Sequence, residues 1–346
     1  MAITNTSLLG SYGDNNNSGL IFRNKIINGN FNIWQRATTT GTQTTTGIFC
    51  ADRWRTTVVG TNVSFTYQQS TDTPSLEFMY SANIAQTNAI NATAVTEYAL
   101  RNIIEKQDTM ALVGKPITLS FWYKSNITGT HAARIFTGSG YTGSIDIGTA
   151  FTVNAADTWE YKVITVNTLA SVTGITGSGN EAGVYVDIGF RTGGFGSSSL
   201  AGNSYFRLTG VQLEAGSIAS PIENRFSGLE LLLCQKYFDT NYPIGTAIGT
   251  AVGDYPGAVG IKDPSTTGEF LNTTPFHVTM RAKPTVTLYR PFDGIANTVE
   301  EFANGSRSVS LNTSRISTAG FTSVFITTST TGSKLYFYLY AANAEL

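Results

Sequence analysis

Short runs in which apolar side chains fall at every second position dominate the first two thirds of the chain. Val63, Phe65 and Tyr67 alternate with Asn62, Ser64 and Thr66. Ile117, Leu119, Phe121 and Tyr123 alternate with Thr118, Ser120, Trp122 and Lys124, and Val184, Val186, Ile188 and Phe190 with Tyr185, Asp187, Gly189 and Arg191. A period of two places one set on each face of an extended strand, so each run has a face for a core and a face for water. Gly, Asn, Ser and Thr clusters between the runs turn the chain back repeatedly, which predicts a sandwich or barrel. Residues 98–104 fit strand or helix, residues 105–112 have room for one helical turn, and residues 205–214 close the domain.

Composition supports this reading. A length of 346 residues implies two domains. Hydrophobic residues at 41% suffice for their cores, while charged residues at 13% are about half the usual ~25%. Thr, Ser, Asn and Gly carry the solvated surface instead, as in β-rich extracellular or virion proteins, because β-branched Thr suits a half-exposed pleated sheet. A net charge of -1 supplies no field for nucleic acid or an anionic membrane. Cys50 and Cys234 make neither a disulfide framework nor a zinc site, and His131 and His277 have no Cys or His at ligand spacing. No metal ligand or cofactor site is expected. The opening residues lack the basic and apolar regions of a signal peptide, and no apolar run is long enough to span a membrane.

The expected organisation has four parts. Residues 1–24 form an extended, polar arm. Residues 25–226 form the first β domain, in which Asn28-Gly29-Asn30 makes a turn, Phe31, Ile33 and Trp34 begin a buried element, and Asp52 and Arg53 pair to orient Trp54. Residues 227–238 form a helix, with Ser227 and Glu230 as a capping box. Its polar members Glu230, Gln235 and Lys236 fall on three different sides among Leu229, Leu231, Leu232, Leu233, Cys234, Tyr237 and Phe238. A helix with no clean wet side is buried, either by the flanking domains or by copies of itself. Residues 239–346 form a second β domain. Its GTAIGTAVGDYPGAVG stretch lacks the GK[ST] of a phosphate-binding loop and reads as strand and turn. Phe276, Val278 and Met280 predict a strand. In the terminal KLYFYLYAA run, Leu335, Phe337 and Leu339 share one face and Tyr336, Tyr338 and Tyr340 the other, a tyrosine face suited to a subunit contact or a ligand. The fold class is therefore all-β: two β-sandwich domains joined by a short buried α-helix, with an extended N-terminal arm.

Several ordered motifs resemble one family. NGNFNIWQR, then ADRW, then IIEKQ and GKPITLSFWYK, then LTGVQLEAGSIASPIENR followed by ELLLCQKYF are similar to phage and prophage tail-fibre proteins, over about residues 25–240. PFHVTMRAKPTVTLYRP and the terminal AANAEL resemble the C-terminal domain of such proteins. The resemblance implies a jelly-roll first domain like the carbohydrate-binding modules of glycan-degrading enzymes. It also implies a virion protein, usually trimeric, concerned with host attachment. On that reading the chain is made in the host cytoplasm, docks on other tail proteins through its arm and sits in the virion tail, or alternatively serves as a capsid decoration or head fibre. The helix then supplies a homotrimer contact through Leu229, Leu232, Leu233 and Tyr237.

Two histidines and no G-x-S-x-G elbow give no support to serine or cysteine hydrolase chemistry. Glycoside hydrolysis needs only two carboxylates, and Asp146, Asp157, Glu160, Asp187 and Glu214 are available, so a depolymerase is the alternative to a non-enzymatic protein. Binding of surface polysaccharide without catalysis is the principal expectation. It needs an exposed aromatic ring beside hydrogen-bonding groups, which the polar faces of two strands offer as Trp122, Lys124, Tyr185, Asp187 and Arg191. The competing assignment has that face covered by the arm or by a neighbouring subunit. Carbohydrate-binding jelly rolls often hold calcium, but no acidic cluster names its ligands here.

Overall fold

The computed structural model describes residues 22–89, 95–137, 146–166, 181–192, 200–253, 256–262, 268–301, 311–327 and 335–346. Most of the expected arm lies outside them. The chain divides into two compact units, one of Met1–Asn32, Thr40–Ile48 and Trp54–Arg225 and the other of Ile33–Thr39, Phe49–Arg53 and Phe226–Leu346.

The first unit is built from β1 (Trp54–Gly60), β2 (Phe65–Ser70), β3 (Ser81–Gln86), β4 (Val95–Glu105), β5 (Ile117–Ser125), β6 (Gly129–Thr137), β7 (Asp146–Val153), β8 (Glu160–Val166), β9 (Ala182–Arg191) and β10 (Tyr205–Ala215), with one helical turn, α1 (Lys106–Thr109). The ambiguous 98–104 segment is strand, and the turn after it is where the sequence has room for one. The strands form two antiparallel sheets, ordered β1-β4-β9-β6-β7 and β2-β3-β10-β5-β8. Because the chain crosses repeatedly from one sheet to the other, the unit is a jelly-roll-like sandwich.

Aromatic rings from both sheets make its core. Tyr98 stacks on Phe190 at 5.4 Å, Phe190 meets Phe206 edge-on at 5.2 Å, and Tyr123 stacks on Phe206 at 5.5 Å. Such pairs each add roughly 0.5–1.5 kcal/mol beyond the area they bury. His131 belongs to this core: its Nδ1 pairs with the Tyr123 hydroxyl at 2.9 Å and its Nε2 with the Ile127 carbonyl at 3.0 Å. Burial pushes its pKa down to about 4, so it packs as a neutral ring.

The Asn28-Gly29-Asn30 turn is real and has a tight cause. Asn28 adopts a left-handed φ of 59°, and the Phe31 amide returns to the Asn28 carbonyl at 3.1 Å. The next residue lies against β10, with the Val211 amide donating to the Gly29 carbonyl at 3.0 Å. A Cβ on Gly29 would stand 2.1 Å from the Val211 carbonyl oxygen, so only glycine fits.

The second unit contains α2 (Ser227–Gln235), β11 (Phe238–Thr240), β12 (Val259–Lys262), β13 (Gly268–Pro275), β14 (Thr285–Tyr289), β15 (Glu300–Glu301), β16 (Leu311–Ser314), β17 (Gly320–Thr327) and β18 (Leu335–Asn343). β18 is the hub: β11, β12, β14 and β15 all pair with it, while β13, β17 and β16 form a separate sheet. Phe276, Met280, Leu288, Phe321, Tyr338 and Tyr340 are among the residues of the core these elements share.

Five expectations are corrected here. The tyrosine face of β18 is neither a subunit contact nor a ligand platform, because Tyr336, Tyr338 and Tyr340 are buried in that core. Two of the hydroxyls have internal partners: Tyr340 donates to Asp239 Oδ2 at 3.0 Å, and Tyr338 accepts from Asn272 Nδ2 at 3.1 Å. Residues 276–281 are irregular rather than strand, although Phe276 and Met280 are buried. Asp52 and Arg53 do not pair to orient Trp54. Arg53 lies 3.4 Å above the Tyr237 ring and forms an ion pair with Glu345, while Asp52 accepts from the Gln35 amide at 2.7 Å and from Arg36 at 3.2 Å. Trp54 instead donates its indole N–H to the Asn28 carbonyl at 3.0 Å.

The helix does not carry the expected capping box. Phe226 occupies the N-cap without a side-chain hydrogen bond, and the Glu230 amide reaches the Phe226 carbonyl at 3.0 Å. Ser227 is thereby inside the first turn, where its hydroxyl cannot cap. Nor is the helix buried on every side. Glu230, Cys234 and Gln235 are its buried residues, Leu229 and Leu233 are half-buried, and Leu232 is 47% exposed. Tyr237 is consumed by its stack under Arg53.

Candidate functional site

β5 and β9 each present the alternation expected of them, but they belong to different sheets. Leu119, Phe121 and Tyr123 point into the core from one side, and Val184, Val186, Ile188 and Phe190 from the other. Trp122 and Lys124 therefore face outward on the β5 sheet, while Tyr185, Asp187 and Arg191 face outward on the β9 sheet. The five residues make two faces, not one.

The β9 face is filled by its own charges. Arg101 on β4, Asp187 on β9 and Arg134 on β6 stand in register across three neighbouring strands. Arg101 grips Asp187 with two hydrogen bonds, Nε to Oδ1 and Nη2 to Oδ2, both 2.7 Å. Glu97 lies 3.7 Å from Arg101 and 3.6 Å from Arg134. Tyr185 stacks on Phe136 at 4.8 Å, and the Arg134 guanidinium covers Phe136 at 4.4 Å. Glu97, Arg134 and Asp187 are buried, and with Arg101 the patch holds two cations and two carboxylates; Arg191 is the half-buried member of the original three. Groups satisfied in this way hold a sheet together.

The β5 face is covered only in part. Trp122 stands directly across from Tyr161 on β8, with ring centroids 5.3 Å apart and planes inclined at 48°. Tyr161 is 43% exposed and its strand neighbour Val163 47%. At one edge of this pair, three donors converge on Asp72: Lys124 Nζ at 2.8 Å, Trp159 Nε1 at 2.9 Å, and Arg207. The partial burial of Asp72 opposes ionisation, but the Lys124 and Trp159 hydrogen bonds and the Arg207 charge outweigh it and hold the carboxyl below its usual range. Arg207 also covers the Tyr205 ring at 4.6 Å.

The segment between β2 and β3 lies over this face and is tied at two points. Asp72 is one; the other is Phe78, which packs on Gly210. Gly210 has a φ of 62°, and a Cβ there would meet Phe78 Cε1 at 2.9 Å and Trp122 Cδ1 at 3.1 Å. Lacking that atom, Gly210 leaves room for both rings to approach its backbone. Sequence reasoning missed Asp72, Trp159, Tyr161 and Arg207. The alternation of Tyr161 and Val163 with Lys162 and Ile164 was a usable signal for one of them; Asp72 had none.

No family model matches the chain, and no curated protein matches it. Solved structures that resemble it include the enzymatically active domain of tailspike protein 4 of bacteriophage CBA120, at 16% identity and a TM-score of 0.35, covering 56% of this chain and 22% of the other. TmCBM61 in complex with β-1,4-galactotriose matches at 11% identity and a TM-score of 0.33, covering 56% of this chain and 99% of that module. The CBM22-2 xylan-binding domain of Paenibacillus barcinonensis Xyn10C matches at 15% identity and a TM-score of 0.32, covering 47% and 92%. The chain spans about a fifth of the tailspike's length. Likenesses at these TM-scores carry no argument about function, which rests on the residues themselves.

The remaining carboxylates are engaged in structural hydrogen bonds. Glu160 accepts from the Asn154 and Ala155 amides at 2.8 and 2.9 Å and from Lys162, and these contacts, set against slight burial, hold its pKa at about 2. Asp157 accepts from the Tyr205 hydroxyl, and Glu214 from the Ser220 amide at 2.8 Å. The Asp146 side chain lies outside the described residues. Among the described residues no cluster of three or more His, Cys, Asp or Glu is placed to hold a metal ion.

Proposed function

We propose that this chain is a non-enzymatic glycan-binding protein whose binding face is the outer surface of the β5 sheet, centred on Trp122 and Tyr161. One observation carries the reading: two partly exposed aromatic rings stand in cross-strand register beside Lys124, Arg207 and Asp72. The apolar C–H face of a pyranose stacks on such rings while its hydroxyls exchange hydrogen bonds with the charged groups alongside. Lys124 and Arg207 have donor capacity beyond the hydrogen bonds Asp72 receives from them, since an ammonium carries three donors and a guanidinium five.

The biological setting we infer is the tail of a phage particle, with host attachment as the role. The ordered motifs that resemble those of tail-fibre proteins support it. Association into a homotrimer fits the helix: Phe226 at its start is 88% exposed and Leu232 within it 47%, apolar surface that a second and third copy would cover. The test is retention of the intact protein on immobilised bacterial surface polysaccharides, run with a reducing-sugar assay on the same material. Retention without sugar release is the expected result; sugar release would put an enzyme in place of a binding protein.

A further inference from the structure

The second unit has a cavity of about 400 Å³, within the size range of small-molecule sites. Its floor is the face of the β14–β18 pair turned away from the hydrophobic core. Thr285 stands opposite Asn343 there, with Thr287 two residues on. Phe238, Ile248 and Tyr289 supply apolar walls, and Arg36 closes one end. The walls are braced rather than loose. Tyr289 meets Tyr242 edge-on at 5.8 Å, and the Ile248 amide donates to the Arg36 carbonyl at 3.1 Å.

Charge decides what such a cavity takes. Arg36 Nη1 is 3.2 Å from Asp52 and its Nη2 3.0 Å from Glu345, which in turn pairs with Arg53. Two cations and two carboxylates cancel, so an anionic ligand would have to compete with buried carboxylates for Arg36. The groups left to face a ligand are neutral. They are the Thr285 hydroxyl, the Thr287 and Tyr289 hydroxyls, which share a hydrogen bond and keep acceptor capacity beyond it, and the Asn343 side chain, whose Oδ1 already accepts the Glu345 amide at 3.0 Å and whose Nδ2 can donate. Hydroxyls and an amide on the floor, with aromatic and aliphatic walls, suit a compact ring bearing hydroxyls.

We propose that this cavity is a second, separate carbohydrate site that takes a neutral hexose or N-acetylhexosamine residue. It shares no residue with the Trp122 face and does not depend on it. The experiment is saturation-transfer NMR on the full chain with glucose, galactose, N-acetylglucosamine and glucuronate, each at about 10 mM, tenfold above a millimolar Kd. At least one neutral sugar gives a transfer signal that survives Trp122→Ala and falls several-fold in Thr287→Val and in Ile248→Trp, which fills the cavity from its wall. Unchanged circular dichroism and melting of the two variants separate loss of binding from loss of fold; if Thr287→Val unfolds, Ile248→Trp, which leaves the sheet intact, decides. Silence of all the neutral sugars, a signal from glucuronate alone, a signal indifferent to the cavity substitutions, or one abolished by Trp122→Ala would each overturn the assignment.

Discussion

Lys124 Nζ donates to Asp72 Oδ2 across 2.8 Å, joining the outward face of β5 to the segment that covers it. The contact brings together residues 52 positions apart and makes one carboxylate the anchor of Lys124, Trp159 and Arg207.

Replacing that anchor is expected to loosen the face without emptying it. Asp72 is a third exposed, so Asp72→Asn costs only about 0.5–1.5 kcal/mol by thermal unfolding, and glycan retention weakens less than it does for Trp122→Ala. Its pKa is depressed, so its contribution is fully present above the usual carboxylate range and is lost only as pH falls through the lower folded-state value. Retention that is flat from pH 7 to 5 agrees with this; a midpoint within that span does not.

Glu345 is buried between Arg53 and Arg36. Burial alone would raise its pKa, but the two guanidinium groups outweigh that and hold the carboxyl below its ordinary range. Glu345→Ala leaves two buried cations short of a partner and is expected to destabilise the second unit by about 3–5 kcal/mol in urea denaturation. Glu345→Gln, which keeps hydrogen bonds, should cost less. Equal and small effects would mean that the chain's last residues do not hold the unit together.

Asp52 behaves in the opposite sense. Burial raises its pKa to about 6, against the Arg36 charge and the Gln35 hydrogen bonds. Between about pH 4 and 6 the folded state therefore holds a proton that the unfolded state releases, so this group's contribution falls as pH rises and levels off above 6. The change amounts to about 3 kcal/mol for a shift of roughly two units. Subtracting the stability curve of Asp52→Asn from that of the natural protein isolates this slope; a difference curve that is flat or rising would contradict it.

The helix makes a prediction about assembly. With Leu232 half in water, Leu232→Asp leaves the fold of one chain intact and shifts a trimer to monomer in light scattering. A natural protein that is already monomeric would remove the trimer reading.

Period-two alternation reported which side of β5 and β9 meets the core, because burial acts on each strand locally. It was silent on which sheet each strand joins: the pairing of β5 with β8 and β10, and of β9 with β4 and β6, is a long-range choice with no local signature. Trp122 and Asp187 were therefore grouped when they lie on different sheets. Asp72 sits in a segment without periodicity, and Arg53 and Glu345 are 292 residues apart, so neither partnership left a mark in its neighbourhood. The capping error has a similar cause, since Ser227 has cap chemistry but the backbone begins the helix one residue earlier, at Phe226.

The account stands most directly on Trp122. Affinity electrophoresis through gels containing bacterial surface polysaccharide should show the natural protein retarded by at least one of them. Trp122→Ala and Tyr161→Ala should each weaken that retardation by roughly tenfold or more, with native circular dichroism retained at the assay temperature and Arg191→Ala without effect. Retardation that survives both aromatic substitutions but is lost with Arg191→Ala would place the binding face on the β9 sheet and contradict the account.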